Sequence, residues 1–149
     1  MNMNASRSPV TRFSSTVTWI GKTLCSSLLS LRNWRSNYLK KKAELVGFEP
    51  TVRVHIMSDG GCIFSGMTMK NTLEASRVKV ITIAQGSCCS AATFMLLGGK
   101  ERRMGKNAYV LIHQLSTGMW GNYQDLKHEL KSTDKLMAML RKMYLTSTS

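Results

Sequence analysis

Ser90 stands in Gly86-Ser87-Cys88-Cys89-Ser90-Ala91-Ala92, a run made almost wholly of small side chains. Small neighbours let a strand-to-helix turn be tight and let a substrate backbone come close, as a serine nucleophile requires. A helix opening there would offer N–H groups and the positive end of its dipole to an oxyanion. A hydroxyl needs an adjacent base to become a nucleophile, and His113 ends the next apolar run 23 residues on. Gly60-Gly61 can turn another backbone N–H toward the same point. Such a set would perform acyl transfer at a carbonyl. The G-x-S-x-G signature is absent, and each feature also has a plainer reading. The small run can pack a helix on a sheet, the histidine can be a surface residue, and the glycines can make an ordinary turn.

The cysteines are Cys25, Cys62, Cys88 and Cys89, and the histidines His55, His113 and His128 are scattered. With two cysteines adjacent and no C-x-x-C or H-x-x-x-H spacing, neither a disulfide framework nor a metal site is expected. Reduced, small, buried thiols fit better.

These residues need elements to position them. Val52, Val54 and Ile56 alternate with Arg53 and His55 and predict a strand. Met57 to Gly61 is a cluster of turn formers, and residues 62–76 predict a helix. A second strand is expected over Val78–Ile83, followed by the small-residue run. A short apolar helix then runs to Leu97, with Gly98-Gly99 as its C′ stop. Tyr109–Ile112 predicts a third strand, and Gly118 and Gly121 a loop. From an Asn122 N-cap a long helix runs to about Tyr144, with Leu126, Leu130, Thr133, Met137, Leu140 and Tyr144 in its stripe. Alternating strands and helices mean an α/β fold with crossover connections, and chemistry beyond the carboxyl ends of the strands.

The chain has 149 residues, 43% hydrophobic and 19% charged, which suits a single domain with a core. It has no apolar run long enough to cross a membrane. The net charge is +13, with +6 in residues 1–50 and +7 in residues 51–149. Such an excess suggests nucleic acid or an anionic surface. Residues 1–43 hold eight serines and no acid, with a short Leu24, Leu28, Leu31 stripe. That composition fits an organelle transit peptide, a poorly ordered basic leader or a surface helix.

Three motifs in order carry a resemblance. Ser58-Asp59-Gly60-Gly61, Gly86-Ser87-Cys88-Cys89-Ser90-Ala91-Ala92 and Leu111-Ile112-His113-Gln114 resemble the Ser-Pro-Gly-Gly, Gly-x-Ala-Ala-Ser and Met-Ile-His-Gln motifs of the Clp protease proteolytic subunit. The likeness spans about residues 50–145 and includes the long helix after the histidine. It implies a crotonase-like (ClpP-like) α/β fold and serine endopeptidase chemistry on polypeptides. It implies Ser90 as nucleophile, His113 as general base, and the backbone N–H groups of Gly61 and Ala91 as the oxyanion hole. It also implies homo-oligomeric heptameric rings fed by an AAA+ unfoldase of Clp type. No cofactor, metal or nucleotide is expected in this chain, and no membrane or nucleic acid as partner. The cytoplasm is the expected compartment, or an organelle matrix if residues 1–43 are a transit peptide.

Four departures accompany the resemblance. The family's acid follows its histidine by about 50 residues, whereas Ser149 is 36 residues after His113. Asp125 and Asp134 fall on the long helix instead, so no third triad acid is identified, and a chain truncated before it is expected. Loss of that acid costs on the order of 10⁴ in rate. Residues 1–49 lack the family's strand and helix pattern and form an atypical leader to a domain over 50–149. Asp59 replaces a proline beside the oxyanion glycine, where it would either oppose developing charge or face solvent. Cys88-Cys89 replaces two alanines, which admits a cysteine nucleophile, although the register favours Ser90. Two alternative functions remain: a non-catalytic ring subunit, and a basic nucleic-acid-binding protein, for which only Trp34-Arg35, Tyr38 and Lys40-Lys41-Lys42 have the right texture.

Overall fold

The computed structural model describes residues 14–20 and 51–148. The elements are β1 (Ser14–Ile20), β2 (Thr51–Ser58), α1 (Ile63–Glu74), β3 (Lys79–Cys89), α2 (Ala92–Leu97), β4 (Glu101–Met104), β5 (Tyr109–Leu111) and α3 (Tyr123–Thr148). Two compact units divide after Leu111. The α/β class expected from the strand–helix alternation is the one observed.

In the first unit every strand pairing is parallel, in the order β1-β2-β3-β4, with β5 also on β3. Along β2, Val52, Val54, Ile56 and Ser58 are buried, and the residues between them are less so. The apolar set packs with Val80, Ala84 and Cys88 of β3, Met69 and Leu73 of α1, and Ala92 and Met95 of α2. Each such fully buried aliphatic side chain contributes roughly 1.5–3 kcal/mol. On α1 the buried positions Gly66, Met69, Lys70 and Leu73 follow helical spacing. Lys70 buries its stem and pairs its ammonium with Glu74 one turn on.

β3 is longer than the expected strand and absorbs the small-residue run as far as Cys89. Its residues 81–84 pair with β4 and its residues 87–89 with β5. Between the halves the register against β2 slips, from Ile56↔Ala84 to Ser58↔Cys88. Gly86, at φ +92, lies in this bulge, where a Cβ would stand 3.0 Å from the Met57 sulfur. Bulges of this kind bend a strand and re-aim the residues beyond the bend.

Three further differences from the sequence-based expectation have physical causes. β1 lies within the supposed leader and pairs with β2 over Ser14↔Thr51 to Ile20↔Met57. The rest of residues 1–49 lies outside the described residues, including the leucine stripe, the lysine run and the transit-peptide reading. β4 has no alternating pattern to reveal it, and is held by its ladder to β3 and by Glu101 bridging Lys79 at 3.0 Å and Arg103 at 2.5 Å. Gly98 ends α2 at φ −73, not in the left-handed C′ conformation. A glycine is needed there for space, because a Cβ would stand 2.9 Å from the Lys70 carbonyl oxygen.

The second unit is a loop and the 26-residue helix α3. Asn122 caps it as expected, its Oδ1 accepting the N–H groups of Gln124 and Asp125 at 3.1 Å each. Leu140 is the one buried residue of α3. No helix among the described residues is long and apolar enough to cross a membrane.

Candidate active site

Beyond Cys89 the chain leaves β3, turns once and enters α2. The turn is Ser90, at φ +53, the one non-glycine residue with positive φ among the described residues. A side chain in that left-handed region costs roughly 1–2 kcal/mol, so surrounding bonds must hold it. Ser90 N–H donates to the Leu111 carbonyl of β5 at 2.8 Å. From the other side Thr93 donates both its N–H, at 3.0 Å, and its hydroxyl, at 2.6 Å, to the Ser90 carbonyl. One strand end and the first turn of α2 thus fix the elbow, and Ser90 itself is half-buried.

The end of β2 comes up against the same turn. Gly60 and Gly61 take φ +103 and φ +134. A Cβ on Gly60 would stand 2.7 Å from both the Cys89 carbonyl oxygen and Ser90 Cβ, and 3.1 Å from Ala91 N. Only glycine fits, for its positive φ and for the space. Gly60 is buried and Gly61 exposed, and Gly60 N–H donates to Ser58 Oγ at 3.2 Å. On α1, Gly66 approaches from a third direction: its Cβ would meet the Ala91 carbonyl oxygen at 2.7 Å. The first unit therefore gathers Gly60, Gly61, Ser90 and Ala91 at the carboxyl ends of β2 and β3.

His113 belongs to the second unit and is exposed. Its Nδ1 lies 2.6 Å from the Gln114 carbonyl oxygen. A carbonyl can only accept, so in this contact Nδ1 is the donor of the pair. Asp125 and Asp134 lie on α3, as expected.

The cysteine alternative finds no support in the geometry. Cys88 is fully buried, and burial, with Cys89 beside it, pushes its thiol up to about 11. A nucleophilic thiol needs the opposite shift. Cys62, Cys88 and Cys89 are free, and Cys25 lies outside the described residues. Among the described residues, no three His, Cys, Asp or Glu side chains converge to hold a metal.

The family model described as Clp protease matches residues 43–149. The chain belongs to the Clp protease family. It is 35% identical, over 102 residues, to ATP-dependent Clp protease proteolytic subunit 3 of Streptomyces avermitilis. That match covers 65% of this chain and 47% of the relative, so the chain spans about half the length of the curated protein it matches.

Asp59 sits beside the glycine pair of this Clp protease family chain, and the structure shows where its carboxylate goes. Asp59 Oδ1 accepts the Ser87 hydroxyl at 3.0 Å, from the segment of β3 just past the bulge. On sequence alone Asp59 is either an opposing charge or a solvated one, and Ser87 has no role. The resemblance implies the Gly61 N–H as an oxyanion donor, and its neighbour Gly60 is the glycine packed on the elbow. A side chain that can accept a hydrogen bond, next to the glycine pair, is the signal that was available.

Proposed function

We propose that this chain is the proteolytic subunit of an ATP-dependent Clp-type protease, a serine endopeptidase acting on unfolded polypeptides. Ser90 Oγ attacks the scissile carbonyl carbon while His113 Nε2 takes its proton. The backbone N–H groups of Gly61 and Ala91 hold the oxyanion. The tetrahedral intermediate collapses as His113 gives the proton to the leaving amine, and the acyl group stays on Ser90. Water, deprotonated by His113, then attacks the ester and releases the new carboxyl end. Homo-oligomeric rings and an AAA+ unfoldase partner belong to the same reading.

The observation that carries it is the left-handed Ser90, held at φ +53 with Gly60 pressed against it. Strain of this kind persists where the fold over-determines it, and it gathers at catalytic positions. A fluorophosphonate probe tests the reading. The expected result is one adduct, mapped to Ser90 by mass spectrometry, lost in Ser90→Ala and slowed at least ~100-fold in His113→Ala. An adduct on Cys88 or Cys89, or none in protein shown to be folded, would overturn it; the second result would favour a non-catalytic ring subunit.

A further inference from the structure

The segment that carries Gly60 and Gly61 leaves β2 just past a bulge in the β2–β3 ladder. Both glycines lie at positive φ, and glycine gives up the most conformational freedom on being fixed. The β2–β3 ladder slips just before them, between Ile56 and Ser58. The Gly60 N–H bond to Ser58 Oγ ties the segment back to the end of β2, where Ser58 pairs with Cys88 of β3. A side-chain link across is the Ser87 hydroxyl donating to Asp59 Oδ1 at 3.0 Å. Ser87 is paired in the β5 ladder opposite Tyr109, so the tie runs to backbone that is already anchored. It joins the residue immediately before Gly60 to the strand that ends at the Ser90 elbow.

We infer that Asp59 and Ser87 are positioning residues: their hydrogen bond sets the Gly60-Gly61 backbone against the Ser90 turn by a tie to β3. The inference rests on the reading of Gly61 N–H as an oxyanion donor. Neither side chain touches the reacting atoms. Asp59 acts through Ser87, and its acceptor oxygen is what matters, not its charge. An Asn, which keeps an acceptor oxygen, serves in its place, and an Ala does not.

The test is a double-mutant cycle with two readouts in the full chain. The first is amide hydrogen exchange at Gly60 and Gly61, which reports the segment whatever Ser90 does. Asp59→Ala and Ser87→Ala each speed exchange there by roughly three- to ten-fold, as expected for one exposed hydrogen bond. The double variant is no faster than either single one, and Asp59→Asn stays close to the parent. The second readout is fluorophosphonate labelling, where the maximal rate falls in the same variants while half-saturation by the probe holds, and Asp59→Asn recovers it. Unchanged exchange, additive effects, or Asp59→Asn behaving like Asp59→Ala would each overturn the tie. Loosened exchange with an unchanged labelling rate would overturn the positioning role. A parent that exchanges as described but never labels at Ser90 sinks the nucleophile assignment instead.

Discussion

Ser90 and its two cysteine neighbours differ in what the fold asks of them. The serine is asked for an unfavourable backbone, and the hydrogen bonds from Thr93 and to Leu111 maintain it. The cysteines are asked to be small, and Cys88 to stay neutral. Cys62, at the start of α1, is exposed, and hydrogen bonds from Ser65 pull its thiol below the usual value, whereas burial pushes Cys88 up to about 11. Iodoacetamide at about pH 8 should therefore alkylate Cys62 in the native protein and leave Cys88 untouched until unfolding; native modification of Cys88 at a comparable rate would refute the burial argument. The same shift carries a pH dependence. Between the ordinary thiol value of 9.0 and about 11, the unfolded chain loses the Cys88 proton and the folded chain keeps it. The folded state binds more protons, so stability falls as pH rises through that window. Cys88→Ala should flatten the alkaline limb of a urea-midpoint profile.

At the scale of elements, Gly66 offers the sharper test. In an exposed helix interior, Gly→Ala stabilises by about 0.5–1 kcal/mol. Here the added methyl would meet the Ala91 carbonyl at 2.7 Å and the Phe94 ring at 2.8 Å. Gly66→Ala should therefore destabilise by about 1–3 kcal/mol in urea denaturation, and a neutral or stabilising result would mean α1 does not pack on the elbow. Which elements were legible depends on where their stability originates. β2 and α3 carry their evidence locally, in the Val52, Val54, Ile56 alternation and the Asn122 cap. β4 and the second half of β3 do not. Gln85-Gly86-Ser87 reads as a turn, and becomes strand because β5 and β2 supply ladder partners from elsewhere in the chain. Glu101-Arg102-Arg103-Met104 is largely exposed and owes its conformation to β3 and to the Glu101 ion pairs. In β1 the β-branched stretch Thr16-Val17-Thr18 is present, but the acid-free composition around it points toward a leader. Ser90 drew notice because tight turns demand small residues, and Gly61 and Ala91 entered only with the resemblance; the Asp59–Ser87 contact was not legible, because it depends on the bulge.

At the scale of the molecule, 21 basic side chains face eight acidic ones, so most positive charges repel more than they pair. Added salt screens that repulsion, with a Debye length of about 10 Å at 0.1 M. Raising NaCl from about 20 to 200 mM should raise Tm by a few degrees, and a falling Tm would show that the ion pairs outweigh the excess. The charge is carried by a chain that belongs to the Clp protease family. A last consequence concerns time. The Ser90 elbow is closed by a carbonyl at the end of β5. On a ribosome, β2, β3 and α2 emerge before that carbonyl exists, and until Leu111 has been added the strained serine is held from the Thr93 side and not from β5. Ile112 and His113 come directly after it. Order of synthesis thus joins the locking of the proposed nucleophile to the arrival of its proposed base, and a nascent chain shorter than this carries no finished elbow with which to attack its neighbours.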